Sequence, residues 1–227
     1  MSILHQMAEI HCVLLDKRIH FWPEIQKSFN DNGLNINPFI VGDGHTLPKA
    51  SYKYIDENTN PPLYHTTNYY DSWINRPNAF NAYMSHYKIL EDAFKRNLPN
   101  IMIVEDDIQI EPDFHEIINK TGDFFEKNHW DLIYFGSFHK ETQPTECESV
   151  IKTTGKSAGW HAILIGSSMF PLLLSFLPIG PFDWICEKFI QNKYDCYGIY
   201  PSIITQKSNV FSIIENSNLE KPDRYEK

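Results

Sequence analysis

Ile101-Met102-Ile103-Val104-Glu105-Asp106-Asp107 is the stretch on which the reading of this chain turns. Four uninterrupted apolar residues predict a strand buried on both faces, as in a sheet covered by helices. Three carboxylates follow at once. Crowded carboxylates repel, and they hold protons more tightly unless a positive charge neutralises them. A hard divalent cation does this through oxygen ligands and keeps positions open for phosphate oxygens and water. In open α/β sheets, ligands gather at the carboxyl ends of strands. The stretch therefore predicts both a fold class and the sheet edge that carries its chemistry. Two other readings stand beside this one. Three acids can be a solvated turn that caps the next element. An aspartyl-phosphate phosphatase would need Asp as the first acid after the strand; Glu105, one methylene longer, stands there instead.

Working outward, Ile10 to Leu15 is a second apolar run, ended by Asp16-Lys17-Arg18. Trp22, Ile25 and Phe29 have helical spacing, with Gly33 as a C-terminal stop. Pro38 to Val41 reads as a strand closed by Gly42-Asp43-Gly44. Strand, helix, strand favours a parallel sheet. Residues 45–78, rich in Asn, Pro, Thr and Tyr, read as a long loop or lid. Its Tyr64, Tyr69, Tyr70 and Trp73 suit sugar stacking or simple anchoring equally. From Asn81 a helix is expected, with Tyr83, Tyr87, Leu90 and Phe94 on one face and its end near Asn97. Further helices are expected over Phe114–Phe125, Ser168–Leu177 and Trp184–Gln191. Strands are expected over Leu132–Phe135, stopped by Gly136, then Ala162–Ile165 and Cys196–Tyr200, with a polar loop over 138–149. The tail beyond Glu215 reads as loose. The expectation is one α/β domain over residues 1–227.

Composition bounds the function. A chain of 227 residues with 42% hydrophobic and 22% charged residues is long enough and apolar enough for a sizeable core. Its formal net charge of -9 argues against nucleic acid as a partner, which calls for a basic surface. It leaves room for one phosphate-bearing ligand beside a bound cation. The four cysteines, Cys12, Cys147, Cys186 and Cys196, form no C-x-x-C pair. Free thiols are expected, with a Cys186–Cys196 bridge as the alternative in an oxidising compartment. No leader or transmembrane segment is legible, so a soluble, cytoplasmic protein or domain is expected. The bias toward Asn, Ile, Lys and Tyr suggests an AT-rich bacterial or large-virus genome.

Several blocks, in order, resemble glycosyltransferase family 25, which includes bacterial lipooligosaccharide galactosyltransferases and the domains that glycosylate collagen hydroxylysine. They are Val13-Leu14-Leu15-Asp16-Lys17-Arg18, Val41-Gly42-Asp43-Gly44, Asn81-Ala82-Tyr83-Met84-Ser85-His86 and Ile103-Val104-Glu105-Asp106-Asp107. Asp131 to Gly136, Gly159 to Ile165, Pro181 to Trp184 and Tyr200-Pro201-Ser202 continue the order. The chain departs from the family where Asn81 replaces a Gly, where Trp160 replaces a small residue, and over 45–78.

The resemblance implies a GT-A fold: a mixed, mainly parallel, Rossmann-like sheet flanked by helices. The nucleotide-binding half would cover about residues 1–110 and the acceptor half about 111–215. It implies a nucleotide-sugar donor, a UDP-linked hexose, an acceptor hydroxyl on a glycan or protein, inversion, and Mn²⁺ (or Mg²⁺). Asp107 and His161 become the metal candidates, His161 otherwise being a satisfied core histidine. Glu105 would face the ribose or support the metal, and Asp106 would orient its neighbours. Leu15, Asp16 and Arg18 would line the nucleotide, with Arg18 on a phosphate or in a salt bridge to a nearby acid. Asp43 and Gly44 would lie against the base or ribose, or form a plain turn. Ser85 and Lys88, one helical turn apart, would face the donor, unless Lys88 is merely solvated. Asp183 is either a helix N-cap or the general base that inversion needs on the acceptor side. An inactive nucleotide- or glycan-binding module and a metal-dependent nucleotidyltransferase are the alternative functions. The spacing does not name the donor sugar, the acceptor or the oligomeric state.

Overall fold

The computed structural model describes residues 3–41, 77–176, 181–207, 211–212 and 217–218. The expected 45–78 loop (but for its last two residues), the tail beyond Glu215 (but for residues 217–218), Asp43 and Gly44 lie outside the described residues. The described chain is a mixed α/β structure with a central six-stranded sheet. Its strands are β1 (Ile10–Leu15), β2 (Asn37–Val41), β3 (Asn100–Glu105), β5 (Leu132–Pro144), β6 (Val150–Gly166) and β7 (Cys196–Ile199), in the order β2-β1-β3-β6-β5-β7. β1 pairs in parallel with both β2 and β3, and β5 with β7. β6 runs against β3 and β5 and separates them. The carboxyl end of β3 and the Tyr134–Gly136 segment of β5 therefore point to the same sheet edge, where β6 enters through His161.

Helices cover both faces, which is why the strands read as continuous apolar runs. α1 (Trp22–Asp31) and α3 (Phe114–Lys127) lie on one face, where Ile25, Phe29, Phe114, Ile118 and Phe125 meet Cys12, Leu14, Met102, Val104 and Phe135. α2 (Pro77–Lys95), α4 (Phe170–Ser175) and α5 (Phe182–Phe189) lie on the other. There Tyr83, Leu90, Phe170 and Ile185 meet Val13, Ile101, Ile103, Tyr134 and Ile163. The alternation of Ile101 and Ile103 against Met102 and Val104 is the period of two that a strand imposes. Gly33, at φ +70°, follows α1 as expected of a left-handed stop.

Three expectations need correction. Phe94 is 47% exposed, and Ile89 and Ala93 take its place against the sheet. Gly136 does not end β5, which runs on to Pro144. Nor is all of 138–149 a loop: β5 and β6 continue as a polar antiparallel ribbon, and only residues 145–149 connect them. Alternating polar residues on a half-solvated ribbon look like loop to a pattern that seeks apolar runs. The first residues of β6 also pair with β7, so β5, β6 and β7 curl into a closed three-stranded unit.

Two short strands complete the edge: β4 (Ile108–Ile110) pairs antiparallel with β8 (Ile204–Gln206). β8 thus roofs the turn that follows β3. Gly136 makes room for it: a Cβ there would lie 1.8 Å from the Ile204 carbonyl oxygen and 2.4 Å from His161 Nε2. Gly136→Ala is expected to destabilise the protein by about 2 kcal/mol or more through overpacking, read as a lower urea midpoint at unchanged slope.

Candidate functional site

The acids leave the sheet on the last residue of β3 and the turn before β4. Asp106 and Asp107 are buried, and Glu105 is half-buried. Asp106 is committed locally. Its Oδ1 accepts from Arg18 Nη1 at 2.6 Å, and its Oδ2 accepts from the Leu15 backbone N–H at 3.2 Å. Arg18 sits in the 3-10 turn Asp16–Phe21 that follows β1. The ion pair is well shielded, with 12% and 6% of the two side chains exposed. It stitches the end of β1 to the end of β3. Arg18 thus forms the salt bridge to a nearby acid that was one of its two expected roles.

Asp107 is differently placed. Its backbone carbonyl accepts from Lys207 N at 2.6 Å, and the Gln206 side chain bonds its carboxylate. Its Oδ1 is buried with no hydrogen-bond partner. Burial raises its proton affinity most, and the Asp106 charge adds to this against the pull of Arg18. Burial also raises Glu105 well above the ordinary carboxylate range; Asp107, Asp106 and Asp183 follow in that order, and Arg18 opposes them. A buried acceptor without a donor, beside a second carboxylate that resists ionisation, is a site short of positive charge. Carboxylate oxygens are the kind of ligand that a hard divalent cation takes.

Asp183 is tied to the same end of the sheet through Gly159, three residues before Ala162, the β6 partner of Val104. It lies in the first turn of α5 and is not its N-cap, which is Pro181. Its Oδ1 accepts from Trp184 N at 2.8 Å and its Oδ2 from Gly159 N at 3.3 Å. Burial raises its proton affinity and the Glu187 charge adds to this, while the two N–H donors oppose them.

Gly159 belongs to a bulge. Between the pairs Gly136–Ala162 and Phe138–Ala158, β5 contributes Ser137 alone, whereas β6 contributes Gly159, Trp160 and His161. Bulges re-aim side chains at sheet edges, and this one needs the φ of +89° that Gly159 adopts. Trp160 stacks on Phe182, with ring centres 4.9 Å apart, and Phe182 stacks on Tyr83 at 4.5 Å. His86 meets the edge of Trp160. Its Nδ1 donates to the Ala82 carbonyl, and its buried Nε2 has no partner. The sequence offered no signal for this aromatic stack, because its members come from positions 83, 160 and 182.

His161 is buried and hydrogen-bonded to the Ile204 carbonyl, with Nδ1 unpartnered. Burial lowers its pKa to about 4. Its contacts are those of a latch between β6 and β8, and none of them is a carboxylate of the triplet. Leu15 touches the triplet through its N–H, whereas Asp16 is exposed and accepts from Lys17 N. Ser85 is buried and Lys88 exposed, so the two do not share a common environment.

A His129–Asp131–Asp195 group brings three ligand atoms within 4.8 Å, but at the opposite end of the sheet, where β5 and β7 begin. Asp131 is already satisfied there by Ser168 Oγ at 2.7 Å and Asp195 N at 3.0 Å, and Lys152 pairs with Asp195 at 2.9 Å. That group ties strand ends together. The four cysteines are free.

A sequence profile described as glycosyltransferase family 25 (LPS biosynthesis protein) matches residues 23–157, more than half of the chain. The chain belongs to this family. The match includes the acidic triplet and stops short of Trp160, His161 and Asp183. A glycosyltransferase 25 family member from Aedes aegypti is 28% identical over 134 residues, 57% of this chain and 21% of the relative. Human procollagen galactosyltransferase 2 is 23% identical over 148 residues, 63% of this chain and 22% of the relative. The inactive glycosyltransferase 25 family member 3 of Mus musculus is 27% identical over 106 residues, 46% of this chain and 17% of the relative. The chain thus spans about a fifth of the length of the family 25 relatives it matches.

Two stability effects follow from this geometry. Asp106→Ala removes the carboxylate that the Arg18 guanidinium and the Leu15 N–H share, and is expected to cost about 3 kcal/mol in chemical denaturation. The raised proton affinities of Glu105, Asp107 and Asp183 act in the other direction. A carboxyl held above its unfolded value contributes stability at pH below about 4 that is lost as pH rises through its folded value. Asp107→Asn is therefore expected to raise the melting temperature of the metal-free protein at pH 7 and to leave it little changed at pH 4.

Proposed function

We propose that this family 25 chain is a metal-dependent hexosyltransferase that moves a sugar from a nucleotide diphosphate, UDP in the first instance, to a hydroxyl of a glycan or protein. The partnerless Oδ1 of buried Asp107, with Glu105 beside it, is the observation that carries the reading. A cation held by Asp107, Mn²⁺ or Mg²⁺, would supply charge to stabilise a departing diphosphate without proton transfer. Glu105 supports that charge from the end of β3. Asp106 and Arg18 hold the β1 end in place, so Arg18 acts on the nucleotide through the shape of the edge.

Asp183 is the acceptor-side base in this reading. Two backbone N–H groups fix its two oxygens and leave lone pairs for an acceptor hydroxyl. A carboxylate with raised proton affinity is a stronger base than an ordinary one while it remains ionised. Displacement from the face opposite the diphosphate inverts the anomeric carbon. Human procollagen galactosyltransferase 2 carries a galactosyl donor and a protein acceptor in its name, which makes UDP-galactose the first donor to try. The exposed polar tip of the β5–β6 ribbon stands on the acceptor half, beyond the bulge that meets Asp183.

A second reading is a binding module without turnover, favoured by the mouse relative that is called inactive. A panel of UDP- and GDP-sugars with Mn²⁺, scored for nucleoside diphosphate release, separates the two. The transferase is expected to hydrolyse one donor slowly, with loss of signal in EDTA. Asp107→Asn is expected to lower turnover at limiting Mn²⁺ by at least about a hundredfold and to abolish the thermal shift that saturating Mn²⁺ gives. That shift amounts to about 2.7 kcal/mol at a hundred times Kd. Asp183→Asn is expected to keep donor affinity and lose about 10²–10⁴-fold in transfer. Full turnover by Asp107→Asn at limiting Mn²⁺ would remove the metal assignment. Donor binding without release by the wild type would establish the binding module.

A further inference from the structure

We infer that Trp160 is a positioning residue for Asp183, acting through a two-point clip between neighbouring residues of β6 and α5. This rests on reading Asp183 as the acceptor-side base. The first point is the stack of the Trp160 indole on Phe182, at 4.9 Å and 15° between planes. The second is the hydrogen bond from Gly159 N to Asp183 Oδ2 at 3.3 Å. Gly159 precedes Trp160, and Phe182 precedes Asp183, so each contact holds the other in register.

The clip is anchored on both sides. Phe182 is sandwiched, because Tyr83 stacks on it at 4.5 Å and 6°, and the Tyr83 hydroxyl donates to the Phe176 carbonyl at 2.8 Å. Trp160 is 4% exposed and braced at its edge by His86. The bulge frees Trp160 from the ladder to point at α5. A bare N–H···O contact at 3.3 Å is long, and alone it would hold the carboxylate loosely. An aromatic stack adds about 0.5–1.5 kcal/mol beyond burial, with defined geometry. Small misplacements of a reacting group cost much in rate and little in binding. The titratable groups electrostatically coupled to Asp183 are Glu187 and Cys186 on α5 and Glu105 on β3, and His86 on α2 lies against Phe182.

Trp160→Leu keeps apolar volume without a ring to stack, and Trp160→Phe keeps a ring. Two readouts are taken on each. The first follows the Gly159 amide proton by NMR across the ionisation of Asp183, with Asp183→Asn as the control that abolishes the shift. Trp160→Leu is expected to lose at least half of the shift, and Trp160→Phe to keep it. The second is donor turnover: Trp160→Leu is expected to lower kcat about tenfold with donor KM within twofold, and Trp160→Phe to stay within about threefold of wild type. If Trp160→Leu does not fold, Phe182→Leu breaks the same stack from the other side and is held to the same expectations. An undiminished amide shift in Trp160→Leu overturns the clip, as does an unchanged kcat in an active enzyme. A wild type that turns over no donor overturns the proposed function instead, and the amide shift still decides the clip.

Discussion

Three carboxylates at the end of one buried strand set the terms for this structure. Each would be better solvated elsewhere, and each is handled differently. Asp106 is neutralised from within, by Arg18 and the Leu15 N–H, so its charge fastens β1 to β3. Asp107 is left with one buried oxygen unmatched, and Glu105 resists ionisation beside it. A folded chain tolerates such a deficit where a ligand brings the missing charge. The separation is physical: one internal cation suffices for one internal anion, and burial leaves the other two carboxyls holding their protons more tightly.

The remainder of that edge is arranged around the surplus. β8 crosses over the acidic turn and is admitted by the absence of a side chain at Gly136. His161 fastens β8 from below through the Ile204 carbonyl. The bulge in β6 brings Gly159 and Trp160 against the start of α5 and so holds Asp183 at this end of the sheet. Glycine at 136 and 159 serves two distinct ends, close approach in one case and a positive φ in the other. Negative charge thus arrives at one place from β3 and from α5 along independent paths.

Expectations from the sequence succeeded where the signal was local. Ile10–Leu15, Trp22–Asp31 and Phe114–Lys127 formed close to their expected bounds, because burial on both faces or along one helical face leaves a short-range pattern. The β5–β6 ribbon failed the same test. Its residues pair across a hairpin, from Pro144 opposite Ile151 to Phe138 opposite Ala158, and because most of that stretch of β5 is polar and exposed no apolar run marks it. Phe94 was assigned to the buried face by spacing, yet the sheet packs against Ile89 and Ala93; the facing surface decides which of two neighbouring stripes is covered.

Sequence by itself determined the α/β class, the family through its ordered blocks, and the strand end on which the acids sit. These follow from hydrophobic period and from residues adjacent in the chain. Tertiary structure alone decided which acid is spent on Arg18 and which is left short of a partner. It also decided that Asp183 shares an edge with Glu105, and that Trp160, Phe182 and Tyr83 form one stack. Each of these depends on pairs 22 to 99 residues apart in the chain or on burial, and no local pattern encodes which distant group will supply a missing proton donor.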